Sequence, residues 1–253
     1  MKIADHLNRT VTLKSTPVRV VSLVPSITET LADLGLFACL VGVTRFCKYP
    51  SDVVNTLPKI GGPKNFDIQK IVDLKPDLVV AVKEENDKEQ ILRLMEQVPV
   101  FVFDINTIED SFDMLQRLGT IFDIRDVSTY WIKRIREKLE NYNPPRLAEE
   151  ALYMIWKNPW MAAGKSTFIG SMMQLAGFDN LITGRYPEID ENEMSRAETI
   201  LLATDPYHFK ESDRVELQVK LPDKKIMIVD GEMFTWYGTH MLLAIDYLGK
   251  AGQ

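Results

Sequence analysis

The sequence has few residues that commonly bind metal ions. Its two cysteines are Cys39 and Cys47, and its three histidines are His6, His208 and His240. No histidine lies near either cysteine, so the ligand spacing of a zinc site is absent. We expect no disulfide, with Cys39 buried in the apolar run LFACLVGV and Cys47 partly exposed in a loop.

The sequence also lacks an excess of positive charge and a long apolar run. The formal net charge is −6 and the pI is about 5.2, so nothing suggests a nucleic-acid partner. No run reaches the roughly eighteen apolar residues of a membrane span, and the opening MKIADHLNRTVTLKSTP has no apolar segment of a secretory signal. As written, the chain is expected in the cytoplasm. If it is the mature form of a longer chain, a periplasmic or cell-surface location is expected.

The stretch NPWMAAGKSTFIG, residues 158–170, contains GKST but no complete phosphate-binding loop. Such a loop has a glycine five positions before the glycine that precedes the lysine, and here that position is Pro159. Proline has no N–H to donate to a phosphate and its φ is restricted. The stretch therefore predicts a loop followed by a helix, with the GKST letters incidental.

The signature motifs of common enzyme classes are missing too. The sequence has no nucleophile elbow, no HExxH and no paired-glycine cofactor loop. Asp205, His208, Glu232 and His240 could still supply an acid and a base, with Ser166 as a nucleophile. An enzyme therefore stays an alternative, which turnover of a bound ligand would reveal.

What the chain does contain is a regular alternation of β-branched runs and helical patterns. The predicted strands are the runs 18–25, 39–44, 77–83, 98–104, 150–156, 198–204 and 224–230. Continuous apolar strands that alternate with amphipathic helices are typical of parallel sheets covered on both faces. We predict an α/β protein with two such lobes, residues 1–107 and 146–253.

The segment between the lobes, residues 108–145, has only helical periodicity from Ile108 to Tyr142, followed by the helix breaker NPPR. We expect one long connecting helix, since about twenty helical residues span about 30 Å, and therefore lobes that move little. Ligands of open α/β sheets bind at the carboxyl ends of the strands. The sequence thus predicts a ligand cleft between the lobes.

Aromatic and charged residues are concentrated in the loops that follow the predicted strands. The candidate ligand-binding residues are Phe46, Tyr49, Lys64, Trp160, Arg185, Tyr186, Tyr207, Glu232 and Trp236. For each aromatic residue, packing in a lobe core is the alternative. After the first of these strands, Ser26 and Glu29 have the spacing of a capping box that opens a helix.

The order of segments resembles that of a known family. The segments VSLVPSITETLADLGL, VGVTRFCKYP, LPKIGG, IVDLKPDLVVA, LAGFDNL, RYPEI, DPYHFKE and DGEMFTWYG, with the helical middle, are similar to the helical-backbone class of substrate-binding proteins. These are the receptors of ABC importers for cobalamin, haem and iron siderophores. The resemblance covers the chain from about Val11 to Leu248 and implies a rigid, monomeric receptor. Such a receptor binds its ligand without chemistry and has no intrinsic cofactor.

Individual positions of the family pattern are matched unevenly. Phe46 resembles the aromatic residue that cobalamin binders place against the ligand, and Glu232 falls where they carry an acidic residue. Their tryptophan before the IVDLKPD helix is replaced here by the sequence GGPKNF. Their permease-docking acid on that helix is Gln69 here, whereas Glu198 matches the docking acid of the second lobe.

The loops suit a metal that arrives already chelated better than a bare ion. A bare zinc or manganese ion would need histidines in the loops of both lobes, and the first lobe's loops have none. Carboxylates of a haem or siderophore could be met by Arg45, Lys48, Lys64, Lys165 and Arg185. The expected partners are a small metal chelate and an ABC-importer permease; a cytosolic carrier or sensor of the same ligand is the alternative.

Overall fold

The computed structural model describes residues 1–144 and 149–251. The chain forms two compact units that do not follow chain order. The first unit contains Met1–Ile105, Glu109–Ile135 and Tyr237–His240, and the second contains the remaining described residues. The predicted lobe bounds stay predictions, and the bound between residues 145 and 146 lies outside the described residues. No helix of the described ranges is long and apolar enough to cross a bilayer.

The first unit is built on a four-stranded parallel sheet. The strands of the whole unit are β1 (Lys2–Ala4), β2 (Thr10–Thr12), β3 (Val20–Ser22), β4 (Leu40–Val43), β5 (Leu78–Val82) and β6 (Val100–Phe103). The sheet has the order β4-β3-β5-β6, while β1 and β2 form a separate antiparallel pair. Every residue of β5 is buried, as expected for a strand covered on both faces.

The helices of this unit lie between and after the strands. They are α1 (Pro25–Asp33), α2 (Ser51–Val54), α3 (Ile68–Asp73), α4 (Lys88–Met95), α5 (Ile108–Ile121) and the larger part of α6 (Arg125–Glu140). Asp67 and Asp87 cap α3 and α4, because each carboxylate accepts a bond from a backbone N–H in the first turn. These local signals explain why the helices begin where they do.

Where the sequence indicates one long connecting helix, the structure has two, α5 and α6. The chain leaves helical geometry around Asp123, whose φ is +56°. A Cβ added to Gly119 on α5 would lie 2.1 Å from Ser128 Oγ on α6, so glycine permits the close approach of the two helices. The apolar periodicity continues across the break, which is why the pattern alone does not reveal it.

The second unit has a mixed sheet. Its strands are β7 (Glu149–Trp156), β8 (Met161–Ala163), β9 (Phe178–Asn180), β10 (Thr199–Ala203) and β11 (Lys225–Val229). The order is β11-β10-β7-β8, with β9 also paired to β7, and only the β7–β8 pair is antiparallel. Its helices are α7 (Phe168–Leu175), α8 (Glu191–Met194), α9 (Glu211–Lys220), α10 (Glu232–Thr235) and α11 (Met241–Ala251). All seven predicted strands are confirmed, and each lies within its predicted run apart from Glu149, one residue before the run 150–156. The three-residue strands β1, β2, β8 and β9 were missed.

The GKST stretch forms a strand and a helix, as the sequence analysis predicts for its second half. Backbone N–H groups of Gly164 and Lys165 donate to the carbonyls of Arg185 and Ile182, both at 2.8 Å. Thr167 caps α7 by accepting a bond from Gly170 N at 3.1 Å. The donors that a phosphate would need are therefore already bonded within the protein.

Candidate functional site

The loop after β4 presents an aromatic ring and a cation together at the carboxyl edge of the first sheet. Phe46 is 50% exposed, and the guanidinium carbon of Arg45 lies 5.0 Å from the centroid of its ring. Arg45 N donates to Gly61 O at 2.9 Å, which holds this loop beside the GGPKN loop. Tyr49, further along the loop, is also exposed. The structure thus brings Arg45 and Phe46 together, while Tyr49 is exposed on the same loop.

The GGPKN loop is fixed by Asn86, a buried residue that the sequence analysis did not select. Its amide nitrogen donates to Pro63 O at 3.0 Å and to Leu23 O at 3.4 Å, and its oxygen accepts from Val82 N at 2.8 Å. Asn86 therefore holds the chain ends of β3 and β5 against the loop that carries Lys64. The Lys64 ammonium donates to the carbonyl of Glu84 and is otherwise exposed. The only sequence signal for Asn86 was a polar residue in the loop after β5, four positions beyond Val82.

Both cysteine environments are the reverse of the expectation. Cys47 is buried, with its sulfur 3.1 Å from the hydroxyl of Thr28 and 3.2 Å from that of Thr44, whereas Cys39 is half-buried. Burial raises the pKa of the Cys47 thiol. Because Thr28 lies on α1, these contacts pack the Arg45–Phe46 loop against the first turns of that helix. Both cysteines are free thiols.

The predicted capping box at the start of α1 does not form. The N-cap is Val24, which makes no side-chain cap, and Ser26 is the second residue of the helix. Glu29 instead reaches His240, whose Nδ1 lies 2.8 Å from its carboxylate. Residues Tyr237–His240 therefore pack on α1 in the first unit, although the sequence analysis placed them in a loop of the second lobe.

The chain reaches α1 through a turn that requires glycine. Gly238 has φ +75°, and its N–H donates to Ser111 Oγ at 2.8 Å. A Cβ at this position would lie 2.2 Å from Thr30 Oγ1. The turn places His240 beside Glu29, where it is almost fully buried.

In the second unit, Trp160 and Tyr207 belong to an aromatic cluster that packs on the core. The Trp160 ring is stacked on Phe209 with centroids 5.8 Å apart, and Tyr207 lies 4.6 Å from the same ring. Trp156 completes the cluster at 5.3 Å from Tyr207 and is 44% exposed. Trp160 and Tyr207 therefore make the core contacts that were given above as the alternative to ligand binding. Their ligand role stays a prediction.

Lys157 joins this cluster to α9. Its ammonium lies 2.7 Å from an Asp213 oxygen, 2.8 Å from a Glu216 oxygen and 5.7 Å from the Trp160 ring centroid. Hydrogen bonds to Asp213 and Glu216 raise the pKa of Lys157, and the bond to Lys157 lowers the pKa of Asp213. Through Lys157, these ion pairs hold the aromatic cluster against α9.

Arg185 is held by contacts within its own unit. Its guanidinium donates to Ser166 O and to Asn106 Oδ1, both at 2.7 Å, and lies 5.9 Å from the Tyr186 ring centroid. Tyr186 itself is half-buried.

The remaining candidates of the second unit differ in exposure. Glu232 begins α10 and is half-buried, with its N–H bonded to Asp230 Oδ1 at 3.1 Å. Trp236 directly follows α10 and is 6% exposed, so its ring offers little surface to a ligand in this structure. Glu198 is exposed and precedes β10, at the sheet edge opposite the candidate loops. The roles of all three stay predictions.

Two α/β units, the first with a parallel sheet and the second with a mostly parallel one, and with aromatic and cationic loops after the strands, define the fold of a substrate-binding protein. The family comparison agrees with this class. The sequence model of the periplasmic binding protein family matches residues 20–206. The chain belongs to that family, and the resemblance inferred from its sequence is confirmed.

Relatives and solved structures cover nearly the whole chain. An uncharacterized ABC transporter substrate-binding lipoprotein of Bacillus subtilis is 24% identical, over 98% of this chain and 84% of the relative. A vitamin B12-binding protein of Pectobacterium carotovorum is 23% identical, over 92% of this chain and 87% of the relative. The crystal structure of the petrobactin-binding protein of Bacillus subtilis superposes with a TM-score of 0.83 at 16% identity, covering 100% and 98% of the two chains.

Proposed function

We propose that this protein captures a metal chelate of the cobalamin, haem or ferric siderophore kind and delivers it to an ABC importer. The relatives support the proposal, since one is named a vitamin B12-binding protein and another an ABC transporter substrate-binding lipoprotein. The match covers 84% and 87% of these two relatives, so the proposal draws on most of their length.

The observation that carries the proposal is the exposed Phe46 ring with the Arg45 guanidinium beside it. A half-exposed phenylalanine loses apolar surface to water when a flat ligand covers it. The neighbouring guanidinium offers paired donors for a carboxylate at the rim of such a ligand. A bare metal ion would use neither feature.

A binding screen of the purified protein tests the proposal. Cobalamin, haem and several ferric siderophores are compared by melting temperature and by absorbance. A chelate held only by the native state should add about 2.7 kcal/mol of stability at a hundredfold excess over Kd. Zinc and manganese ions serve as controls. Large shifts with these ions and none with any chelate would refute the proposal.

We further propose that the protein leaves its ligand chemically unchanged. The Ser166 hydroxyl, the candidate nucleophile, donates to Gly184 O at 3.3 Å. Mass spectrometry of the ligand recovered after prolonged incubation tests this. A modified ligand that forms only in the presence of the protein would favour the enzyme alternative.

The receptor role requires that the protein meet its permease outside the cytoplasmic membrane. The description of the family as periplasmic and of one relative as a lipoprotein supports this location. Cell fractionation with N-terminal sequencing of the native protein tests it. Recovery only from the cytoplasm would favour the carrier or sensor alternative.

For docking on the permease we propose Glu198, an exposed acid ahead of β10. On the first unit, Gln69 occupies the position where relatives of the helical-backbone class carry an acid. Its side chain donates to Asp73 Oδ1 at 2.8 Å, one turn further along α3, so the exposed carboxylate of Asp73 lies next to that position. Glu198→Arg should lower ligand uptake by cells and leave ligand affinity unchanged. The exposed Asp52 provides the control, since Asp52→Arg makes the same charge change elsewhere. Equal uptake by both variants would exclude Glu198.

A further inference from the structure

The start of α1 combines an uncapped helix end with a buried hydroxyl that has no partner. Val24 makes no side-chain cap, Pro25 has no N–H, and the first turn contains no acidic residue. The first bond within the helix is Thr28 N to Val24 O at 3.0 Å, so the N–H groups of Ser26 and Ile27 precede it. Neither has an acceptor among the residues that the structure describes.

The Ser26 side chain adds a third donor at the same place. Its Oγ is buried, with the residue 1% exposed, and forms no hydrogen bond within the described chain. Side chains on a helix lean toward its amino end, so a hydroxyl at the second helical position lies over the uncapped turn. A buried donor without an acceptor is costly and is usually explained by a water or an ion.

Two neighbouring buried hydroxyls, those of Ser22 and Thr28, do have hydrogen-bond partners within the protein. Thr28 Oγ1 donates to Ser22 Oγ at 2.9 Å, and Ser22 Oγ donates to Val24 O at 3.2 Å. Both residues are as deeply buried as Ser26. Of these three buried hydroxyls, only that of Ser26 has no hydrogen-bond partner in the described part of the chain. It belongs to the same turn as the unbonded N–H groups of Ser26 and Ile27.

We infer that the amino end of α1, with the Ser26 hydroxyl and the N–H groups of Ser26 and Ile27, binds an oxyanion, either a carboxylate or a phosphate. Three donors and the positive end of the helix dipole favour such a group. The oxyanion group adds the acceptors that these donors lack.

The contacts around the amino end of α1 connect this oxyanion site to the candidate ligand loops of the first unit. The Thr28–Cys47 contact of 3.1 Å holds the Arg45–Phe46 loop against α1, and Asn86 holds the GGPKN loop against the β3–α1 junction through Leu23 O. An acid group of a bound chelate would then contact α1 while its apolar face covers Phe46. That source of the oxyanion rests on the proposed function; the site itself does not.

The first experiment tests the site without any chelate. Backbone amide resonances of the nitrogen-15-labelled protein are followed while inorganic phosphate, and separately acetate, is added. The Ser26 and Ile27 amides should shift and saturate. The start of α7 is the internal control, because Thr167 already caps it, and its amides should not saturate. Absence of saturation at Ser26 and Ile27, or equal behaviour at α7, overturns the inference.

Ser26→Ala provides the second test. It removes one hydrogen bond to a charged group, so phosphate or acetate should bind about tenfold more weakly. The variant should fold normally and should not melt below the wild type, since the hydroxyl has no partner to lose. Unchanged anion affinity in this variant would also overturn the inference.

The source of the oxyanion is decided with haem and haem dimethyl ester, which lacks the two carboxylates. Weaker binding of the ester, and a Ser26→Ala effect on haem but not on the ester, would assign the site to a carboxylate of the chelate. If the phosphate titration succeeds and no chelate binds, the proposed function fails and the site stands as one for a free anion. If a chelate binds but the amides do not respond to phosphate or acetate, the site fails and the proposed function stands.

Discussion

Replacing Phe46 with alanine should weaken chelate binding while leaving the fold intact. The ring is half exposed, and covering the exposed half is worth about half of the roughly 1.5–3 kcal/mol of a fully buried phenylalanine. Stacking on a flat ligand adds about 0.5–1.5 kcal/mol. The sum is about 2 kcal/mol, or about thirtyfold in Kd. The free energy of unfolding should fall by only about 1 kcal/mol, because the variant loses the buried half of the ring and its contact with Arg45.

Phe37 offers a matched control for this experiment. It is 52% exposed, nearly the same as Phe46, but it precedes β4, whereas Phe46 follows it. Phe37→Ala should therefore leave affinity unchanged. Both variants are measured by isothermal titration calorimetry with the chelate that binds best and by urea denaturation. An equal loss of affinity in the two variants, or none in Phe46→Ala, would refute the assignment of the carboxyl edge as the ligand surface.

Three further predictions concern buried groups. His240→Ala leaves the part-buried Glu29 carboxylate without this partner and should lower the free energy of unfolding by about 2 kcal/mol in urea denaturation. A loss below about 1 kcal/mol would show that the pair does not secure the segment Tyr237–His240. Trp236→Ala should cost about 3–5 kcal/mol in the same assay, since the ring is 6% exposed; intact stability with lost affinity would assign Trp236 to the ligand instead. In the native protein iodoacetamide should modify Cys39 well before Cys47, as peptide mass spectrometry can follow. Because burial raises the Cys47 pKa, its contribution to stability should be complete below about pH 8.5 and decline above it. Equal alkylation rates, or a pH profile that Cys47→Ala leaves unchanged above that pH, would contradict the buried environment.

The strands illustrate what local pattern determines. Runs such as LVVAV in β5 are apolar throughout and rich in β-branched valine, which is the pattern of a strand covered on both faces. The same holds for the caps of α3 and α4, where the accepting carboxylate and the donating backbone N–H belong to residues three positions apart. The strands β1, β2, β8 and β9 were missed because three residues such as MAA in β8 carry no period, and their pairing with another strand decides their conformation. The equally short β3 was found because it lies in the longer apolar run 18–25.

The candidate site illustrates the limit of such patterns. Ser26 and Glu29 have capping-box spacing, yet Glu29 pairs with His240, which lies 211 positions away along the chain. Whether Glu29 forms a local bond or a distant one depends on which side chains come close to it when the chain packs. No short window of sequence contains both Glu29 and His240. For the same reason the sequence did not predict that Cys47 is buried against Thr28 on α1, or that Asn86 donates to Pro63 O in another loop.

The sequence by itself therefore determined the α/β class, the strands β3–β7, β10 and β11, the family and the concentration of aromatic and cationic residues after the strands. Those features depend on periodicity and on residue types over short distances. Only the tertiary structure decided that the connecting segment is two helices, that Trp160 and Tyr207 pack on a core, and that the amino end of α1 keeps three donors without acceptors. These depend on contacts between residues far apart in the chain, where burial and the satisfaction of hydrogen bonds, rather than local preference, select the structure.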